Sequence, residues 1–176
     1  MKILIFGDIV SRIGREAVKK VLPELKAAHD IGAELAVVVG GGNIVRGVEL
    51  SKLGTNRTQA DYVGMIATVI NALILQDALE KLGIGVHVQS AVEIHKMVEP
   101  YNRRNCLNYL SQSNIVLLAG GTGNPYFTTD SAAALRAIEI GADVFLKATK
   151  VDGVYSADPV LDPKAELFHR LTYSQV

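Results

Sequence analysis

The stretch from Gly120 to Asp130, GGTGNPYFTTD, constrains the fold more than any other part of the chain. It follows the apolar run Ile115–Ala119, and an alanine-rich helical pattern begins at Ser131. This order predicts a strand, a glycine-rich loop and a helix start in one line. Glycines let a backbone approach a ligand closely, and the threonines add hydroxyls beside the unpaired N–H groups of a helix start. The loop is therefore predicted to hold an anion.

The rest of the chain repeats this alternation of strand and helix. Strands are predicted at Lys2–Phe6, Glu34–Val39, Gly85–Gln89, Ile115–Ala119 and Asp143–Lys147. Helices are predicted at Arg15–Ala28, where Pro23 bends the helix or marks its start, and at Ala60–Leu82, Ser90–Met97, Arg103–Ser111 and Ser131–Ile140. Such alternation favours an α/β fold, a three-layer sandwich with a mainly parallel sheet. Three loops, after Val39, Ala119 and Lys147, are expected to face one crevice, because ligands bind outside the carboxyl ends of parallel strands.

The composition limits the class of protein. At 176 residues the chain suits one domain, and its formal net charge of zero disfavours nucleic acid or an anionic membrane as a partner. No apolar run approaches membrane-spanning length. The chain has a single cysteine, Cys106, so it can form no internal disulfide, and this fits a protein of the reducing cytoplasm. Cys106 is expected to be a small buried side chain rather than a nucleophile. The four histidines show no metal-ligand spacing, so no metal site is predicted.

A glycine triplet, Gly40 to Gly42, follows the second predicted strand and precedes Arg46. The glycines are predicted to cradle a phosphate to which Arg46 donates; the alternative is a tight turn with a surface arginine. Asp61 is interpreted first as a carboxylate that opens the long helix and complements its dipole. The alternative is an acceptor for ligand hydroxyls.

The Gly120–Asp130 loop also has a plainer interpretation, an elaborate turn in which Thr128 or Thr129 caps the helix. Asp130 is a metal-associated carboxylate, a lysine-paired carboxylate or a simple first-turn acid. In the stretch from Lys147 to Pro159, Tyr155 is a candidate for stacking on a base, and the lysines, Lys147 and Lys150, are candidates for meeting phosphates. The alternative there is a solvated loop with ordinary turns.

Four stretches together resemble the bacterial uridylate kinases of the amino-acid-kinase superfamily: AVVVGGGNIVRG, GMIATVINALILQDAL, AGGTGNPYFTTDSAAALRAIEI and LKATKVDGVYSADP. The resemblance runs from about Gly32 to the end. It implies transfer of the ATP γ-phosphoryl group to UMP, giving UDP, with Mg²⁺ accompanying ATP. It also implies a homo-oligomer, a hexamer in that family, and regulation by GTP and UTP.

The same resemblance implies roles for individual residues. Arg46 and Asp130 match catalytic positions, and Asp130 matches an acid that helps to organise a catalytic lysine. The residues implied for UMP are Gly41, Asp61, Thr122, Gly123, Asn124, Pro125, Tyr126, Phe127, Thr128 and Thr129. Those implied for ATP are Gly42, Arg46, Thr149, Tyr155 and Asp158.

The resemblance stops near both ends of the chain. The family's first strand ends in K-L-S-G, whose lysine holds phosphates, whereas this one ends Ile5-Phe6-Gly7-Asp8. Residues 1–31 instead resemble the strand–helix start of YmdB-like metallophosphoesterases, in which the aspartate matching Asp8 binds metal. The family also continues for several elements beyond Val176, so an uncovered sheet edge or apolar surface is expected.

The chain is therefore predicted to be a composite within one structural domain. Residues 1–31 form a phosphoesterase-like unit, and residues 32–176 form a truncated uridylate-kinase-like body. Kinase activity is expected to be weak or lost, because the phosphate-directed lysine and the C-terminal part are missing. The alternatives are a non-catalytic nucleotide-binding protein or engineered chimeric scaffold and, more remotely, a metal-dependent phosphoesterase.

Overall fold

A six-stranded parallel sheet forms the centre of the fold. The computed structural model describes residues 1–7, 14–45, 47–52, 54–148 and 151–172. The strands are β1 (Lys2–Gly7), β2 (Glu34–Val39), β3 (Val86–Ser90), β4 (Glu99–Pro100), β5 (Ile115–Ala119) and β6 (Val144–Ala148). They lie side by side in the order β4-β3-β5-β2-β1-β6. The carboxyl ends of β2, β5 and β6 therefore share one edge, as predicted.

Helices cover both faces of this sheet. They are α1 (Gly14–Asp30), α2 (Gly47–Lys52), α3 (Arg57–Glu80), α4 (Arg103–Ser111) and α5 (Thr129–Ile140). Successive side chains of a strand point to opposite faces of the sheet, so alternate residues of β1 pack in two different core clusters. Ile3 packs in the cluster that holds residues of α1 and α3, whereas Leu4 and Phe6 pack in the cluster that holds residues of α4 and α5. The predicted three-layer α/β sandwich is confirmed.

Helix α3 is the longest element and lies directly over the sheet. An 18-residue window of it has a mean hydropathy of 1.5, so by length and composition alone it could cross a membrane, contrary to the sequence-based expectation. In this fold 44% of that window is buried, and Val69, Leu75 and Leu79 pack against β2, β3 and β5. Its contacts are those of the core helix of a sheet protein.

One predicted helix is absent: residues 91–97 form bends and turns rather than a helix. The Ala91 N–H donates to the carbonyl of Ala119 at 3.0 Å, and the Val92 N–H donates to Ser90 Oγ at 3.1 Å. Lys96 has φ of +70°, outside the helical region. These contacts to β5 and to a serine side chain replace the i to i−4 bonds that a helix needs. Glu99–Pro100, predicted to separate two helices, forms edge strand β4 instead.

Two smaller differences between the prediction and the structure concern helix α1 and the loop after β6. Helix α1 continues through Pro23, so that residue does not mark its start. The loop predicted at 150–162 contains strand β7 (Val154–Tyr155), which pairs antiparallel with β8 (Leu167–Phe168).

Strand β6 lies at the edge of the sheet and pairs within the described residues with β1 alone. Its side chains Phe145 and Leu146 are nearly half exposed. The sequence predicted an uncovered edge or apolar surface, and β6 is one of the two edge strands of this sheet, with β4 the other.

Candidate active site

A cleft of about 650 Å³ opens at the carboxyl ends of β2 and β5. Its wall combines two glycine loops, the N-terminal half of α3 and the start of α5. The first glycine loop is Gly40 to Gly42, and the second is Gly120 to Asp130. The lining residues are Gly41, Gly42, Val45, Glu49, Lys52, Arg57, Asp61, Gly64, Met65, Thr68, Gly121, Thr122, Asn124, Phe127, Thr128, Thr129 and Asp130. Such a volume and such a mixture of backbone, hydroxyl and charged groups suit a small polar ligand.

Gly41 is where the first glycine loop passes closest to α3. A Cβ atom there would lie 2.8 Å from the Gly64 carbonyl oxygen and 3.0 Å from the Ala67 Cβ. Only glycine fits between the loop and the helix without a shift of one of them. Gly41 therefore allows the backbones of the loop and of α3 to approach closely, and it also lines the cleft.

Two polar side chains of α3, Thr68 and Asn71, hold the glycine loops in place. The Thr68 hydroxyl donates to the Met65 carbonyl and accepts from the Gly120 N–H, both at 2.7 Å. The Asn71 amide donates to the Gly40 carbonyl at 2.7 Å and to Asn43 Oδ1 at 2.6 Å, and Asn43 donates back at 3.2 Å. Both side chains are buried, so these bonds satisfy groups that water does not reach.

Sequence reasoning did not select Thr68 or Asn71. A signal was available, because polar residues inside an otherwise apolar, helix-forming stretch must find a hydrogen-bond partner when that face is buried. Helical spacing from Asp61 also places Gly64, Met65 and Thr68 on the same face of α3 as Asp61.

Turns within the second glycine loop add to these contacts with α3. Gly120, Gly121 and Gly123 have φ of +76°, +60° and +80°, and a Cβ on Gly123 would lie 2.9 Å from the Ala91 carbonyl oxygen. The Thr122 hydroxyl accepts from the Asn124 N–H at 3.2 Å. The predicted cap is Thr128, whose Oγ1 accepts from the Ser131 N–H at 3.1 Å. Thr128 therefore caps α5 and also lines the cleft.

The loop residues predicted for the nucleotide divide into two groups. Thr122, Asn124, Phe127, Thr128 and Thr129 line the cleft. Gly123, Pro125 and Tyr126 are absent from its lining, and Tyr126 is 67% exposed.

Asp61 lies one turn inside α3, so the expectation that it opens the helix is wrong. The helix begins at Arg57, and Asn56 is its cap, with Oδ1 accepting from the Thr58 N–H at 2.9 Å. The Asp61 carboxylate accepts from Arg57 Nε at 3.0 and 2.9 Å and from the Tyr126 N–H at 2.9 Å. It therefore joins the helix to the second glycine loop rather than serving only the helix dipole.

Asp130 is paired with a lysine, which was one of its three predicted interpretations. Lys147 Nζ lies 2.6 Å from Asp130 Oδ2. Lys147 is in register with Phe6 of β1, and its Nζ lies 5.5 Å from the centre of the Phe6 ring. An ammonium group is thus present beside the end of β1, although β1 itself carries no lysine there. The sequence marks Lys147 as a candidate for meeting phosphates, and its position at the carboxyl end of a strand is where ligands bind in such sheets.

Among the described residues that were predicted for ATP, Gly42 is in the lining of this cleft, whereas Tyr155 and Asp158 are not. Arg46, Thr149 and the Asp8 region lie outside the described residues. Tyr155 belongs to β7, and the Asp158 carboxylate accepts from the Val160 N–H at 2.9 Å in a local turn. Gly42, also predicted for ATP, lines the same cleft as Gly41.

Cys106 is buried on the α4 side of the sheet, away from these loops. Burial disfavours the thiolate and raises the pKa of Cys106 to about 11. Its predicted role as a small buried side chain agrees with this environment. Within the ranges that the structure describes, no group of three or more His, Cys, Asp or Glu side chains could hold a metal ion.

Comparison with known proteins places this architecture in a family. The sequence profile described as "Amino acid kinase family" matches residues 6–176. A uridylate kinase of Methylococcus capsulatus is 53% identical over 171 residues, which is 97% of this chain and 72% of the relative.

Solved structures agree in fold. The UMP kinase of Ureaplasma parvum superposes with a TM-score of 0.88 at 32% identity, over 98% of this chain and 76% of its own. The UMP kinase of Bacillus anthracis gives 0.86 at 32% identity, over 94% and 72%. The uridylate kinase of Archaeoglobus fulgidus gives 0.74 at 32% identity, over 99% and 76%. This chain belongs to the amino acid kinase family, and within it to the uridylate kinases.

Proposed function

We propose that this chain transfers the γ-phosphoryl group of ATP to UMP, giving UDP and ADP. A phosphate oxygen of UMP forms a bond to the γ-phosphorus, and the bond from that phosphorus to the oxygen bridging the β-phosphate breaks. The electron pair of the broken bond stays on ADP. The observation that carries the proposal is the cleft, where two glycine loops and Asp130 meet at one edge of the sheet. The Asp130 carboxylate is paired with Lys147 at 2.6 Å.

The acceptor side of the reaction is assigned to the cleft. Gly41 and Gly42 bring backbone close to the ligand, and Thr128 and Thr129 bring hydroxyls at the start of α5. Lys52 supplies positive charge at the wall. Phosphoryl transfer depends on positioning and charge neutralisation rather than on covalent chemistry, so these groups suffice to orient an acceptor phosphate.

Lys147 is assigned to the developing charge on the transferred group. Its ammonium is held by Asp130 at 2.6 Å, which fixes its direction at the end of β6. The neighbouring strand β1 ends in Phe6 and Gly7, which bring no charge. We therefore expect weak or absent turnover, because a lost charge contact to the phosphates removes transition-state stabilisation.

Magnesium is expected to arrive with ATP rather than to reside in the protein. Mg²⁺ keeps several waters and uses one or two carboxylates together with substrate phosphates, and a single carboxylate such as Asp130 fits that donor set. When bound, the ion neutralises phosphate charge. The protein's own contribution is to hold Lys147 and the two glycine loops around the phosphates.

A coupled assay of ADP formation with UMP, ATP and Mg²⁺ tests the proposal, with UMP omitted as the control. Calorimetric titration of UMP in the same buffer separates the alternatives. Turnover that requires UMP supports the kinase; UMP heat without turnover supports a non-catalytic nucleotide-binding protein. Neither turnover nor heat at millimolar UMP would sink both. Metal-stimulated phosphodiester hydrolysis that is lost in Asp8→Ala would favour the phosphoesterase instead.

Self-association is the second part of the proposal, and α3 supports it. Tyr62, Ile66, Ile70 and Ile74 recur every fourth residue and form a stripe along α3, and each is between 41% and 46% exposed. We infer that a second copy of the chain covers this α3 stripe. The stripe itself carries no charge, and the charged residues Arg57 and Asp77 near the ends of α3 are already paired with Asp61 and Lys81, so covering the stripe buries apolar surface without stranding them.

Three expectations stay predictions. The joining of a phosphoesterase-like unit, 1–31, to a kinase-like body, 32–176, rests on the sequence Gly7-Asp8. The alignment with the Methylococcus relative covers 97% of this chain, so it extends into residues 1–31 and gives the joining no support. The other two are regulation by GTP or UTP, which the resemblance to the uridylate kinases implies, and a cytoplasmic location.

A further inference from the structure

Three contacts from α3 converge on one residue of the second glycine loop, Tyr126. Its N–H donates to Asp61 Oδ2 at 2.9 Å, and its hydroxyl lies 3.2 Å from Thr58 Oγ1. Arg57 Cζ lies 5.7 Å from the centre of its ring, within the range of a cation–π contact. The loop is thus attached to the first two turns of the helix through a backbone, a hydroxyl and a ring.

Asp61 is itself held from the opposite side by Arg57. The Nε–H of Arg57 is shared between the two carboxylate oxygens, at 3.0 and 2.9 Å, which fixes the plane of the carboxylate. The two residues are four apart on α3, so they occupy the same face of the helix. The Asp61 side chain is only 12% exposed, whereas Arg57 is 42% exposed.

The backbone of Tyr126 needs these contacts. Its φ is +71°, in the left-handed region that residues with a Cβ disfavour. No glycine stands at this position to relieve the conformation, and the side chain is largely in solvent. The conformation therefore persists because the Asp61 carboxylate and the α3 side chains over-determine it.

We propose that Arg57 is a positioning residue for the acceptor nucleotide and acts through Asp61 and Tyr126. Arg57 fixes the Asp61 carboxylate, and that carboxylate anchors the loop at Tyr126. The neighbouring residues Phe127 and Thr128, which line the cleft, take their positions from that anchor. Asp61 also lines the cleft, where its remaining lone pairs can accept from a ligand hydroxyl.

This inference rests on the proposed UMP site, and its test separates the two. Arg57→Met removes the guanidinium and its Nε–H while keeping a long side chain, and Arg57→Lys keeps the charge without the planar geometry. Lys81→Met is the matched control, because Lys81 makes an i,i+4 pair with Asp77, at 2.5 Å, at the other end of the same helix. Calorimetry with UMP is expected to give a Kd raised about tenfold or more in Arg57→Met, partly restored in Arg57→Lys and unchanged in Lys81→Met.

A second readout needs no ligand. Amide hydrogen exchange at Tyr126 in the free protein is expected to accelerate about tenfold in Arg57→Met and to stay unchanged in Lys81→Met. Equal exchange in all variants, or equal loss of UMP affinity in Lys81→Met, would overturn the proposal. If the unmodified chain binds no UMP, the proposed function fails, and the exchange rate alone still decides whether Arg57 positions the loop.

Discussion

The hydroxyl of Thr68 accepts a hydrogen bond of 2.7 Å from the N–H of Gly120, a residue 52 positions away. That hydroxyl also donates to the Met65 carbonyl within α3, so both of its roles are used. Gly120 has φ of +76° and is packed against Ser90 so tightly that a Cβ there would lie 2.7 Å from Ser90 Oγ. The turn that opens the second glycine loop is therefore fixed by one hydroxyl of α3.

Replacing Thr68 by valine should destabilise the fold although it keeps the shape of the side chain. The buried Gly120 N–H would lose its acceptor, at a cost of about 1–3 kcal/mol in the free energy of unfolding. Urea denaturation measures the loss. Thr68→Ser keeps the hydroxyl and should retain most of the stability. Equal stability of the valine and wild-type proteins would contradict the assigned bond.

Gly41→Ala should destabilise the protein, and Gly64→Ala should not. A Cβ on Gly41 meets the Gly64 carbonyl at 2.8 Å, whereas a Cβ on Gly64 meets nothing within 4 Å. We expect Gly41→Ala to cost about 1–3 kcal/mol through overpacking. Gly64→Ala lies inside a helix and should be neutral or stabilising by up to about 1 kcal/mol. The order of the urea midpoints checks this, and a reversed order would be inconsistent with the close approach.

Lys147→Met should remove phosphoryl transfer while leaving UMP binding intact. Lys147 is assigned to charge on the transferred group, and loss of one such contact typically lowers the rate by about 100- to 1,000-fold. The coupled assay and UMP calorimetry measure the two effects separately. Lys164→Met, at an exposed surface position, is the control. A variant with unchanged turnover would remove Lys147 from the mechanism.

If a second copy covers the α3 stripe as inferred, Ile70→Asp should give a monomer, because a charge in the middle of the stripe cannot be buried without a partner. Sedimentation velocity measures the change in mass. Ile138→Asp is the matched control, since Ile138 is 80% exposed on α5, outside the stripe. A wild-type protein that sediments as a monomer at all concentrations would refute the inferred contact.

Alkaline pH should destabilise the fold in part through Cys106. The pKa of its thiol is raised from 9.0 to about 11 by burial, so the folded protein keeps the proton while the unfolded chain releases it. The contribution is fully present below pH 9.0 and is lost as the pH rises toward 11. Unfolding free energies of wild type and Cys106→Ala, compared from pH 8 to 11, should converge as the pH rises. A difference that does not change with pH would contradict the raised pKa.

The strands and the loop that follows each were predictable because their sequence signals are local. In β2 and β5 the residues from Leu35 to Val39 and from Ile115 to Ala119 are all buried, so continuous apolar runs, rather than alternation of apolar and polar residues, identified these strands. Glycines at the ends of these runs then placed the cleft. These patterns required no knowledge of the rest of the chain.

The missed features depend on contacts between distant residues. Residues 91–97 carry a helical pattern, but the Ala119 carbonyl takes the Ala91 N–H. Arg57 gains its role from Tyr126, and Thr68 gains its role from Gly120. Since each partner lies on another element, only the assembled sheet brings these pairs together.

Helix α3 is a wall shared by two surfaces. Asp61, Met65 and Thr68 face the cleft, and Ile66 and Ile70, between and beyond them, face outward in the α3 stripe. A rigid helix cannot turn on its axis to suit a ligand without also turning the face offered to a second copy. If the two equilibria are coupled, thermodynamic reciprocity requires UMP to change the association constant by the same factor by which association changes UMP affinity. Sedimentation with and without saturating UMP would measure that factor, and a factor of one would show that UMP binding and self-association are not coupled.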